Sequence, residues 1–150
     1  MKPSRTTVAA PPAPTTDAQG RLLCTDAVMS LKASTGAPSF RAGTQPVLGV
    51  SVGTTGPTAC VRDLSGPLQV FTVYTAGGSR VWSTADCFPG TGTDVRYLQP
   101  GERLQYNIRW SGTTSQPHCA GDRLTVPPGT YVLQVTIGSL KAAPATFTLS

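Results

Sequence analysis

Four cysteines carry the most informative chemistry in the sequence: Cys24, Cys60, Cys87 and Cys119. Metal sites draw their thiolates from close pairs of the Cys-x-x-Cys kind, and no such pair is present. An even count at wide spacing reads instead as a disulfide framework. Three pairings are possible. Cys24–Cys60 and Cys87–Cys119 are favoured, because each ties neighbouring stretches of chain. Each would close a loop of about 35 residues, which the chain-entropy model values at about 4 kcal/mol. Bridges of this kind persist outside the reducing cytosol, so the expected setting is secreted, periplasmic or cell-surface.

The other reactive side chains are few and scattered. His118 stands beside Cys119, but neighbours on an extended chain point to opposite faces, a poor geometry for a nucleophile and its base. A metal site built from Cys87, His118 and Cys119 would lack a fourth ligand. Asp26, Asp63, Asp86, Asp94, Glu102 and Asp122 fall in turns or at strand ends. Loops could gather two of them for acid–base work or Ca²⁺, yet no Asp-x-Asp cluster occurs. Gly90-Thr91-Gly92 lacks the lysine and the strand–loop–helix setting of a phosphate loop. Asn107 is followed by Ile-Arg, so it is no glycosylation acceptor. Trp82 and Trp110 could form a binding platform, but core packing near a bridge is the simpler use of two such rings. The reading is therefore of a chain with no catalytic set, no cofactor and no metal.

What must position these residues is β structure. The 150 residues suffice for one core, and 16 Gly, 14 Pro and 22 Thr favour short strands and turns. No apolar run reaches the roughly 18 residues of a membrane span. The net charge is +5. The arginines beyond residue 23 (Arg41, Arg62, Arg80, Arg96, Arg103, Arg109, Arg123) are spread along the chain instead of forming the stripe that nucleic acid requires, so no nucleic-acid partner is expected.

Residues 1–21 are rich in Pro, Thr and Ala with little to bury, and read as a disordered linker or stalk. Residues 22–150 read as the folded domain. Ala27–Lys32 is a possible first strand, and residues 33–46 are turn-rich. Leu48, Val50 and Val52 alternate, and Cys60–Arg62 could extend the pairing. Leu68–Thr75 and Ser79–Ser83 flank Ala76-Gly77-Gly78 as a hairpin. Residues 84–101 read as irregular. Glu102–Trp110 alternates most cleanly, with Leu104, Tyr106, Ile108 and Trp110 on one face. At about 1.5–3 kcal/mol for each buried side chain, that strand is expected to line the core. Thr130–Ile137 and Pro144–Leu149 complete seven or eight strands, with Phe147 and Leu149 facing inward. One-sided strands without amphipathic helices call for an antiparallel β-sandwich.

From Val81 onward the order Val81-Trp82-Ser83, Leu98-Gln99-Pro100-Gly101-Glu102, Trp110 and Pro128-Gly129-Thr130-Tyr131 resembles BsuPI-type domains, named for a bacterial intracellular proteinase inhibitor. It also resembles the Cys-containing versions found in actinobacterial envelope proteins. The resemblance covers residues 81–149. It implies an immunoglobulin-like fold and carries no inhibitory residue onto a matching position here. After Met1 comes Lys2-Pro3-Ser4-Arg5 with no apolar leader, so the chain is expected to be a mature part or ectodomain separated from a signal peptide or N-terminal membrane anchor. The expected role is a non-enzymatic, extracytoplasmic binding module of the bacterial cell envelope, with a protein or envelope component as partner. The alternative is inhibition of a secreted proteinase through Phe88–Asp94 or Ser111–Pro117, loops that each abut a cysteine.

Overall fold

Alternating apolar residues face each other across two sheets. The structure is a computed structural model, and it describes residues 15–150. The elements run β1 (Met29–Thr35), β2 (Ser39–Phe40), β3 (Val47–Thr54), β4 (Cys60–Asp63), β5 (Gln69–Thr75), β6 (Arg80–Ser83), α1 (Thr84–Cys87), β7 (Val95–Leu98), β8 (Arg103–Arg109), β9 (Gly129–Ile137), β10 (Leu140–Lys141) and β11 (Ala145–Leu149). The strands absent from the sequence expectation are β2, β7 and β10, pieces of two to four residues. The first strand begins later than expected, because Asp26–Val28 forms a turn of 3₁₀-helix before it. Residues 84–101, expected to be irregular, hold both α1 and β7.

One sheet has the order β1-β3-β8, and the other β2-β11-β9-β5-β6, with β10 pairing beside β9. A separate ribbon joins β4 to β7. Pairing between the named strands is antiparallel except where β2 runs parallel to β11, and isolated parallel bridges join Leu23 to Val61 and Lys32 to Ala143. The chain thus passes from one sheet to the other between β1 and β2. This is an immunoglobulin-like sandwich, with β1, β3 and β8 in one layer and β5, β9 and β11 in the facing layer. Tyr131, near the start of β9, donates its hydroxyl proton to the Pro127 carbonyl at 2.5 Å. That tyrosine corner fixes the entry to β9, as it does in Greek-key sandwiches.

Leu48, Val50 and Val52 of β3 meet Phe71 and Val73 of β5, Leu133 and Val135 of β9, and Phe147 of β11, all at most 2% exposed. Trp110 is fully buried, and its ring packs edge-on to Tyr131 and Phe147 at 6.1 Å each. Burial of this kind stabilises by about 1.5–3 kcal/mol per side chain. The β8 expectation needs correction here. Leu104, Tyr106 and Ile108 do face inward, but they are only half-buried, because β8 is the outermost strand of its sheet.

The linker expectation divides. Residues 1–14 lie outside the described residues. Residues 15–21 are hydrogen-bonded: Asp17 Oδ1 accepts from the Gln19 and Arg21 amides, its Oδ2 binds Arg21 Nε at 2.8 Å, and the Leu23 amide donates to the Thr15 carbonyl. The Asp17 side chain closes this turn as local Asx motifs do, a signal that composition averages away.

Candidate functional site

Cys24 is bonded to Cys60 and Cys87 to Cys119, with Cα atoms 5.0 and 4.7 Å apart. Cys24 and Cys60 are buried. Around them the chain is stitched by backbone: the Cys24 amide donates to the Val61 carbonyl, and the Val61 amide to the Leu22 carbonyl. Arg62 donates to the Cys24 carbonyl and pairs with Asp26 at 2.7 Å. Two such bridges belong to an oxidising setting.

The second bridge is different. Cys119 and its neighbour His118 are exposed, and both adopt left-handed backbone, φ 57° and 62°. This conformation costs a residue with a side chain about 1–2 kcal/mol. His118 and Cys119 are therefore not on extended chain, as the sequence suggested. The bridge holds a tight turn (Pro117–Cys119) against α1.

Around α1 the Asp86 carboxylate enters a polar network. Ser83 caps α1 by accepting from the Ala85 amide. Asp86 is buried and takes Arg80 Nη2 at 2.6 Å and the Ser115 hydroxyl at 2.5 Å. Burial pushes the Asp86 carboxyl up, but the Arg80 and Ser115 hydrogen bonds outweigh it and hold the carboxyl below its ordinary value. Ser115 also accepts from the Ser83 amide, and its own amide donates to the Val81 carbonyl, so the outer edge of β6 is covered.

Other carboxylates hold turns or arginines as well. Asp63 Oδ1 accepts from the Asp94 and Ser65 amides, which together hold it below the usual carboxylate range against the opposing effect of burial. Asp94 pairs with Arg96 at 2.7 Å. Glu102 accepts weakly from the Gln99 amide in the turn before β8. Asp122 is exposed. Among the described residues, no three of His, Cys, Asp and Glu gather as a ligand set.

Beside the second bridge lies a cleft of about 370 Å³ whose walls include Trp82, Phe88, Ile108, Arg109, Gln45 and Arg123. Trp82 and Trp110 pack together with centroids 5.9 Å apart. Trp110 Nε1 donates to the Thr113 carbonyl, whereas the buried Trp82 Nε1 has no partner. Trp82 thus belongs to the core and to the cleft floor at once. Phe88 is 61% exposed, and the Arg123 guanidinium lies 5.5 Å from its ring centroid, a cation–π distance. Leu124 follows at 63% exposed.

The Phe88–Asp94 loop is fixed at both ends and in its middle. Cys87 is bridged, Gly90 lies so close to the Gly66 backbone that a Cβ would collide, and the Asp94 amide and carbonyl bond Asp63 and the Leu64 amide. The sequence singled out neither Arg109 nor Arg123 as a site residue, and named Phe88 only as the first residue of a candidate inhibitory loop. The arginines looked scattered because 14 positions and a whole loop separate two residues that the fold sets on one cleft.

No family model and no curated protein matches the chain. Solved structures give remote likenesses. A mutant β-glucosidase from Listeria innocua in complex with laminaribiose is 14% identical with a TM-score of 0.47, covering 81% of this chain and 16% of that one. The β-glucosidase EmGH1 from Erythrobacter marinus is 17% identical at 0.49, covering 81% and 15%. The alkylpurine DNA glycosylase AlkC of Pseudomonas fluorescens, bound to DNA with an abasic site analog, is 13% identical at 0.47, covering 81% and 30%. The chain spans about a sixth of the length of those β-glucosidases.

Proposed function

We propose that the chain is a non-enzymatic, extracytoplasmic binding module of the bacterial cell envelope, part of a secreted or membrane-anchored protein, as the resemblance to envelope-type BsuPI domains implies. It docks a protein or envelope partner through the cleft beside Cys87–Cys119. The observation that carries this reading is the exposed pair Phe88 and Arg123 on a disulfide-braced rim. Aromatic and arginine side chains are enriched in interface cores, where they desolvate large surfaces. The carboxylates support it too: Asp17, Asp26, Asp63, Asp86 and Asp94 each hold a turn or an arginine. The test is retention of an envelope component on immobilised protein. The wild type should retain a component that Phe88→Ala/Arg123→Glu loses. Retention of the same material by both would refute the cleft as the docking site.

A second reading, inhibition of a secreted proteinase, is favoured by the triple anchoring of the Phe88–Asp94 loop. Rigid exposed loops of this kind can occupy a proteinase cleft with little further loss of conformational entropy. Titration against serine, cysteine and metalloproteinases should leave one class inhibited at stoichiometric ratio. Full activity across the panel would remove this reading.

A further inference from the structure

Sandwiches of the seven-strand type fill one sheet with four strands. Here the corresponding sheet ends at β8, because the strand before it, β7, pairs with β4 instead. The direction of the open hydrogen bonds follows from the register. Gly36 donates to the Val47 carbonyl, so the odd residues of β3 bond β1 and its even residues bond β8. The Trp110 amide donates to Pro46, in the same phase. Leu104, Tyr106 and Ile108 therefore spend their backbone bonds on β3. The N–H and C=O groups of Arg103, Gln105, Asn107 and Arg109 point away from it, and among the described residues no strand pairs with them. β8 contains neither proline nor a bulge, two of the usual devices that blunt an edge.

Charge selects the occupant. Strands β1, β3 and β8 carry Lys32, Arg103 and Arg109 and no carboxylate. Arg103 lies flat across the glycine-bearing face of β3, bonding Ser51 Oγ at 2.9 Å and the Ser30 carbonyl at 3.2 Å. Arg109 forms no ion pair among the described residues and reaches the cleft. The Asp94 carboxylate, which lies beside Tyr106 of β8, is already paired with Arg96. A second copy fits poorly: antiparallel pairing of two β8 strands about Tyr106 would set Arg103 opposite Arg109 twice, and like charges directly opposite destabilise a sheet. The half-buried Leu104, Tyr106 and Ile108 leave apolar surface that an added strand would cover.

From these observations we infer that the free edge of β8 captures an extended acidic peptide segment by antiparallel strand addition. Its carboxylates lie on the exposed face within reach of the unpaired Arg109, and its intervening apolar residues cover Leu104, Tyr106 and Ile108. This rests on the binding-module reading and specifies the partner's chemistry.

The probe is a fluorescein-labelled eight-residue peptide of alternating Glu and Val, titrated into the full oxidised chain by fluorescence anisotropy. Residues opposite the odd positions of β8 turn their amides toward it, so N-methylation of the Glu amides should weaken binding at least tenfold. Methylation of the Val amides should change it less than threefold. A Lys/Val peptide should not bind. Asn107→Pro, which removes an outward N–H and the exposed Gln105–Asn107 side-chain hydrogen bond but no bond to β3, should weaken binding at least tenfold with both bridges and the circular dichroism unchanged. Equal binding of both methylated peptides would overturn the inference in favour of plain charge attraction. So would no binding at all, self-association through β8, or binding that appears only after residues 1–14 are removed. A chain that retains its envelope component but ignores the probe sinks this inference alone, whereas one that binds the probe but retains no component through the cleft sinks the broader reading.

Discussion

The two disulfides close loops of nearly equal length, with sequence separations of 36 and 32, yet they serve different regions. Cys24–Cys60 is buried where backbone hydrogen bonds stitch the N-terminal segment to β4. Cys87–Cys119 stands at the rim of the cleft, with an exposed sulfur partner on left-handed backbone. Chain entropy treats them alike; burial and strain do not. The contrast teaches that one bridge secures the fold, and the other secures a surface.

The largest effect to break this contrast comes from removing the bridges separately. Cys24→Ser/Cys60→Ser should lose about 4–5 kcal/mol, because loop entropy and two buried packing sites go together. Cys87→Ser/Cys119→Ser should lose about 1–3 kcal/mol, because release of the left-handed turn offsets part of the loop term. Guanidinium unfolding measures both, and equal losses would erase the distinction.

A smaller effect tests the network that seats α1 beside the second bridge. Asp86→Asn should cost about 1–3 kcal/mol, the range for a charged hydrogen-bond partner removed from a buried site. The Asp86 carboxyl is held below its ordinary value when folded, so its contribution is complete above the unfolded value of about 3.9. That contribution fades as pH falls from there through the lowered folded value. Denaturation curves of wild type and variant should therefore differ at pH 7 and converge in acid. A difference that grew in acid would reverse the assignment.

The bridges should also differ in rate of reduction. Mild phosphine treatment followed by alkylation should label Cys87 and Cys119 first, read by peptide mass spectrometry, while the near-ultraviolet dichroism of the buried Trp110 persists. The smallest effect is His118→Gly, which should raise stability by about 0.5–1 kcal/mol as the left-handed strain outweighs the added chain freedom. No gain in the unfolding midpoint would mean that the turn is not strained.

The long alternating strands were readable from the sequence because a period of two leaves a pattern in every residue. β5, β8, β9 and β11 lie where Leu68–Thr75, Glu102–Trp110, Thr130–Ile137 and Pro144–Leu149 place them. β2 and β7 were not, since two to four residues carry no period and their pairing is decided by distant chain. The inward face of β8 was legible, but its edge position was not: alternation reports a face, while the neighbouring strand is set by topology. Cysteine count and spacing announced bridges. The cleft stayed hidden, because Arg109 and Arg123 become neighbours only when the second bridge and the Thr113–Thr125 pairing fold their loop back. Asp86 looked like one more loop carboxylate, and its role appeared only with Ser115, 29 residues away.

The most direct test of the division between fold and surface uses the Cys87→Ser/Cys119→Ser chain and the envelope component that the wild type retains. The account predicts a cooperative unfolding transition, native circular dichroism, and loss of that component. Undiminished retention by a chain without the second bridge would contradict it.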